Sequence, residues 1–164
     1  MEKIAFIDLE ACGLGPASWP IEVGWCFENG EAEAVLIKPD AAWSLDIWDK
    51  TAEALHGLSI DEVTRNGAPA EDVCIRLNKT LAGFSVYSDA PDWDGFWLYR
   101  LFEAAGIKQQ FALADFSDVF VEMAEEKKLA ILEEASKLAP HRHRAGADVL
   151  HMKEVYALTR IDES

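Results

Sequence analysis

In Phe6-Ile7-Asp8-Leu9-Glu10-Ala11-Cys12-Gly13 an apolar run ends in two carboxylates. Strand side chains alternate faces, so Ile4, Phe6, Asp8 and Glu10 share one face while Ala5, Ile7 and Leu9 share the other. Both faces are apolar until residue 8, the pattern of a central strand covered on both sides. At a rise of ~3.3 Å per residue the two acids stand roughly 6 to 7 Å apart on one face. Read alone, this pair is better explained as two acids solvated at a strand end. The alternative is that they share metal ions, because like charges this close raise each other's pKa unless a cation intervenes.

Around this strand the chain reads as α/β. After the break at Gly13-Leu14-Gly15-Pro16, the runs Ile21 to Phe27 and Glu33 to Ile37 flank the turn signal Asn29-Gly30, which predicts an antiparallel meander with the acidic strand. Thr51 to Leu55 forms a short helix, and Trp43 and Trp48 read as aromatics covering the core. The next helix opens with Pro69 at its first position, carries Val73, Leu77 and Leu81 on one face, and stops at Gly83. Phe84 to Tyr87 is a short strand. A helix with Asp92 as N-cap runs to Gly106, with Trp97, Leu98, Leu101, Phe102 and Ala105 apolar, and this places Asp94 on the inward side. Residues 111 to 120 fit strand or helix equally. Val121 to Ala139 predicts an amphipathic helix with Leu129, Leu132, Ala135 and Leu138 inward, ended by Pro140. A last helix begins near Ala145. Its apolar positions Met152, Val155 and Tyr156 put Asp148 on the core side.

The 164 residues suit a single domain, 1–164, able to bury roughly two thirds of its unfolded surface. Three cysteines without Cys-x-x-Cys spacing suggest neither a disulfide framework nor a zinc site. Cys12 is a buried filler or, given its place beside the acids, a reactive thiol. The sequence carries no signal-peptide pattern and no apolar run near 18 residues, so a soluble, cytoplasmic protein with no membrane partner is expected. The net charge of -15 opposes nonspecific binding to polyanions. That charge is uneven: residues 127–164 hold seven Lys/Arg against six acids, so an anionic ligand is best tolerated there, near Lys127, Lys128, Lys137, Arg142 and Arg144.

Four acids are thus isolated by pattern: Asp8 and Glu10 at a strand end, Asp94 and Asp148 on the inward sides of helix starts. An unpaired buried carboxylate costs several kcal/mol, so four together argue for divalent cations. Two ions balance four charges, and oxygen ligands suit Mg²⁺ or Mn²⁺ rather than zinc.

Three separated motifs resemble those of the DnaQ-like, or DEDDh, 3′-5′ exonucleases of the ribonuclease H-like superfamily. They are the Asp-x-Glu strand at Asp8 and Glu10 followed by Gly13-Leu14, the aromatic-Asp helix start at Trp93-Asp94, and His-x-x-x-x-Asp from His143 to Asp148. His56-Gly57-Leu58-Ser59 and Asn66-Gly67-Ala68-Pro69 look like that family's connecting segment, so the resemblance covers nearly the whole chain. It implies a ribonuclease H-like fold, a mixed central β-sheet flanked by α-helices. It further implies that Asp8, Glu10, Asp94 and Asp148 bind two Mg²⁺ or Mn²⁺ ions and that His143 is the general base, His141 being the alternative. Ala11 and Leu14 would meet the terminal nucleotide, and Arg142 and Arg144 are candidate substrate contacts. The implied activity is release of nucleoside 5′-monophosphates from single-stranded DNA or RNA 3′ ends, with a homodimer as in small family members. Two positions depart from the family: Ala11-Cys12 stands where Thr or Ser is frequent, and Asp89 stands where many members have Asn. Asp89 therefore competes with Asp94 as ligand, and Asp94 is preferred because it follows an aromatic residue and opens the apolar helix. The contrasting expectations are a noncatalytic nucleic-acid or protein-binding module on the same fold, and a phosphatase, whose Asp-x-Asp start is absent.

Overall fold

The computed structural model describes residues 1–161; the last three residues of the expected 1–164 unit lie outside the described residues. Its centre is β1, Ile4–Ala11, in a five-stranded sheet. β2, Pro20–Phe27, pairs antiparallel with β1 and with β3, Glu33–Leu36, giving the expected meander. β4, Ser85–Ser88, lies parallel to β1 on its other side, and β5, Leu113–Asp115, lies parallel to β4. The sheet order is β3-β2-β1-β4-β5, a mixed sheet in which β1 is interior.

Both faces of β1 are covered, as its composition predicts. Ala5, Ile7 and Leu9 join a large apolar cluster with Trp19, Ile21, Trp43, Leu77, Leu98 and Leu101. Ile4 and Phe6 join a second cluster with Phe116, Ile131, Ala135, Met152 and Val155. The first cluster is closed by α3, Ala70–Leu81, and α4, Pro91–Ala105; the second by α5, Glu125–Leu138, and α6, Ala145–Arg160. α1, Lys50–His56, is capped by Asp49, whose side chain accepts from Thr51 N. Trp43 is buried and stacks on Trp19 at 5.6 Å, as expected of a core aromatic.

The structure departs from the sequence reading at four places. α2, Ile60–Asn66, was not anticipated, although Ser59 accepts from Glu62 N and lies 3.4 Å from the Glu62 carboxylate, a capping-box pattern visible in Ser-x-x-Glu. α4 starts at Pro91, whose fixed φ and missing N–H suit the first position, so Asp92 falls in the first turn and is not the N-cap. Pro69 stands one place before α3. α5 begins at Glu125 and not at Val121, because residues 116–120 form a 3₁₀ turn after β5. Its buried positions are Ile131 and Ala135, while Leu129 and Leu138 are exposed. α5 rests on α6 at the margin of the domain, where a narrow stripe suffices and a leucine-based estimate of the buried face fails.

Candidate metal and nucleotide site

β1 delivers Asp8, buried at 7% exposure, opposite Gly24 of β2. A glycine is required there by proximity: a Cβ on Gly24 would stand 2.7 Å from the carbonyl carbon of Ala145. This lets the first turn of α6 lie directly on β2 and brings Asp148 beside Asp8. Gly24→Ala should therefore cost about 1–3 kcal/mol by overpacking and weaken Mn²⁺ binding by displacing Asp148. Urea melts and a Mn²⁺ titration check this, and unchanged values in both would contradict the role given to the contact.

A second device fixes the same turn. Glu22 lies directly across the sheet from Glu10 and is buried. Arg144 donates to it through Nε and Nη2, at 3.0 and 2.7 Å, and Ala145 N donates at 2.9 Å. The repulsion of two facing glutamates is thereby offset, and the loop before α6 is tied to β2. Sequence reading missed Glu22; an acid amid the apolar run Pro20 to Phe27 was the available signal.

Asp94 is 1% exposed in the first turn of α4. Its Oδ1 accepts from Leu9 N at 3.2 Å and its Oδ2 accepts from Ser88 Oγ at 2.6 Å. Asp148 accepts from Arg142 N at 2.9 Å and is 2% exposed. The four expected acids do meet, and Asp89 joins them. Carboxylate oxygens of Asp8, Glu10 and Asp148 lie within 4.8 Å of one another, and so do those of Asp8, Asp89 and Asp94. Asp8 is common to both groups.

The electrostatics follow from this crowding. Burial, reinforced by Asp94, Glu10 and Asp148, raises the Asp8 carboxyl well above its usual range. Burial and then Asp148 and Glu22 push Glu10 up to about 9. Asp94 goes to about 7, burial outweighing the opposing hydrogen bond from Ser88. The residues fit a hard divalent cation: every donor is a carboxylate oxygen, and Asp8 Oδ2 is buried without a hydrogen-bond partner.

A pH prediction follows. In the metal-free protein these acids keep protons that the unfolded chain has already lost. Their contribution to stability is therefore complete below the ordinary carboxylate range near ~4 and is lost as pH rises through about 7 for Asp94 and about 9 for Glu10. In EDTA the melting temperature should fall between pH 5.5 and 9. Mn²⁺ should restore it, by an increment that grows with pH and that NaCl at matched ionic strength does not reproduce. Calorimetry at both pH values decides; equal Mn²⁺ increments at the two would refute the carboxylate origin.

Beside the acids is a cleft of about 220 Å³ lined by Glu10, Ala11, Gly13, Leu14, Leu55, His56, Trp97 and His143. Ala11, Leu14 and His143, chosen from sequence, thus share one cleft with a candidate ligand. Leu14 is exposed, and a wider depression of about 420 Å³ adjoins it along Gly13 to Ser18. Trp97 is held by Ser18 Oγ, which accepts from its Nε1 at 2.9 Å. His143 has a left-handed backbone, φ 55°, in the loop before α6. His141 is placed differently: its Nδ1 is 3.5 Å from Asp148 and its Nε2 3.8 Å from Asp89, and the nearby Asp89 and Asp148 carboxylates raise its pKa. His56 is buried, and burial lowers its pKa, which favours the uncharged ring. Of the two arginines expected near substrate, Arg144 is engaged by Glu22, while Arg142 is exposed. Cys12 is fully buried, accepts from Trp19 N, and has its thiol pushed up by burial, which fits the reading of a buried filler. Among the described residues no helix is long and apolar enough to cross a membrane.

No family model matches the chain, and no curated protein matches it in sequence. Solved structures do. The fold is similar to that of E. coli Exonuclease I in complex with a dT13 oligonucleotide, with TM-score 0.74 and 16% identity over 98% of this chain and 41% of that one. It is similar to the zinc-ion-bound form of the E. coli ExoI-ssDNA complex, with TM-score 0.74 and 16% identity over 99% of this chain and 41% of that one. A moderately thermophilic Exonuclease I from Methylocaldum szegediense gives 0.70 and 20% over 98% and 40%. This chain spans about two fifths of the length of those proteins. The likeness establishes the ribonuclease H-like fold: a mixed sheet flanked by helices.

Proposed function

We propose that the chain is a metal-dependent 3′-5′ exonuclease of the DEDDh type, releasing nucleoside 5′-monophosphates from single-stranded DNA or RNA 3′ ends. The observation that carries this is the pair of three-carboxylate groups sharing Asp8, set beside a cleft that contains His143. Asp8, Glu10, Asp94 and Asp148 would hold two Mg²⁺ or Mn²⁺ ions. When bound, such ions supply activation of the attacking water and relief of charge on the leaving oxygen.

The remaining steps belong to the chain itself. The cleft takes the terminal nucleotide, with exposed Leu14 packing against its base and the backbone at Ala11 beside its sugar. His143 Nδ1 or Nε2 takes the proton of the attacking water, a task suited to an imidazole. Of Arg142 and Arg144, it is Arg142 that is left to meet the substrate backbone, since Arg144 holds Glu22. The small size and the net charge of -15 leave little room for a long basic track, which favours short single-stranded ends. The single-stranded oligonucleotides held by the solved structural neighbours support the same substrate class.

The test is hydrolysis of DNA and RNA oligonucleotides carrying 3′ or 5′ labels, with Mg²⁺, Mn²⁺ or EDTA. Successive shortening of 5′-labelled strands, dependent on a divalent ion, is expected. Internal cleavage, or hydrolysis that persists in EDTA, would sink the reading.

A further inference from the structure

The acids of this site form two triads, and the second contains a residue that the four-acid reading leaves out. Glu10 and Asp148 stand with Asp8 on one side; Asp89 and Asp94 stand with Asp8 on the other. Within the second triad the burdens are unequal. Asp8 is shared with the first triad. Asp94 already accepts one hydrogen bond on each oxygen, from Leu9 N and Ser88 Oγ, so a lone pair on each is committed to holding its rotamer. Two such acids are a thin ligand set for a hard divalent ion, which takes six or more oxygens. Asp89 supplies a third carboxylate from the β4–α4 junction, with its side chain 34% exposed and His141 at 3.8 Å.

An independent observation points to a cation against Asp8. Asp8 is 7% exposed, and its buried Oδ2 meets no donor. A carboxylate oxygen stripped of water and given no proton donor is among the costly arrangements in a protein interior unless an ion faces it. The oxygens within reach of Asp8 on the α4 side are those of Asp89 and Asp94.

We propose that Asp89 is the third carboxylate ligand of a second divalent-cation site, completed by Asp8 and Asp94, so that the chain holds two ions before any nucleic acid arrives. The inference rests on the two-ion reading above and deepens it. The second ion then does not depend on a substrate phosphate to complete its ligands, and the fifth acid has a function beyond adding charge.

The experiment is Mn²⁺ binding to the full chain without nucleic acid, followed by titration calorimetry and by electron paramagnetic resonance. Wild type should take up two Mn²⁺, and the doubly loaded protein should give a broadened, spin-coupled spectrum because both ions share Asp8. Asp89→Asn should retain one Mn²⁺ at wild-type affinity with the spectrum of an isolated ion. Its second Mn²⁺ should bind at least ~10-fold more weakly, a loss that even an outer partner of a ligand can produce. Asp89 is on the surface and the substitution keeps its shape, so a melt in EDTA no lower than that of wild type serves as the folding control. Asp94→Asn should lose the same ion as Asp89→Asn, whereas Glu10→Gln should lose the other and keep this one. Two Mn²⁺ at unchanged affinity in Asp89→Asn, or a single Mn²⁺ in wild type, would overturn the proposal. A wild type that binds no Mn²⁺ would overturn the two-ion reading with it. Two ions bound without hydrolysis of any oligonucleotide would sink the exonuclease reading alone and leave the second site standing.

Discussion

Asp8→Asn should reduce hydrolysis of a single-stranded oligonucleotide to background while making the metal-free protein melt higher than wild type. The two effects have one cause. Asp8 is the acid common to both triads, so an amide in its place would remove a ligand from each of the two proposed ions at once. Loss of a single preorganised electrostatic contact commonly costs ~10²- to 10³-fold in rate, and this substitution removes two. Stability moves the other way. In the absence of ions Asp8 is a buried carboxylate whose pKa is raised by burial and by Asp94, Glu10 and Asp148. The asparagine amide carries no charge, and its NH₂ can donate to those same neighbours. The check is a labelled-end assay in Mg²⁺ and Mn²⁺ together with calorimetry in EDTA. Activity within tenfold of wild type would remove the basis for a shared ligand.

His143→Ala should lower turnover by ~10²- to 10⁴-fold, the usual worth of a positioned general base, with Mn²⁺ affinity nearly unchanged. The geometry separates it from its neighbour. His143 faces the cleft that Glu10, Ala11 and Leu14 also line, whereas His141 lies against Asp89 and Asp148. His141→Ala should therefore register in metal affinity more than in the pH dependence of turnover. The acid limb of the rate profile should disappear in His143→Ala and persist in His141→Ala. His143→Asn is a useful companion, because asparagine tolerates the positive φ of this position. If the acid limb survives in His143→Ala and is lost in His141→Ala, the roles are exchanged.

What could be read from the chain alone was local. Alternation in β1 placed Asp8 and Glu10 on one face, and helical spacing turned Asp94 and Asp148 inward; all four converge. What could not be read depended on pairing across the sheet or between distant segments. Glu22 is opposite Glu10 only because β2 pairs in that register, and Gly24 matters only because α6 comes to rest on it. In the sequence Asp89 and Asp94 are rivals as ligands, because a motif offers one position to one residue. Three dimensions put both beside Asp8. The misjudged face of α5 has the same origin, since spacing identifies a stripe but not how much of it a neighbouring helix covers. α2 was a different kind of omission, because its capping box was present and legible.

The tie between Glu22 and the start of α6 spans 123 positions of chain. Before that contact forms, the acids of a growing or unfolded chain are dispersed along it as ordinary hydrated carboxylates, none able to hold an ion in concert with the others. The gathering of these acids around one place therefore belongs to the folded state.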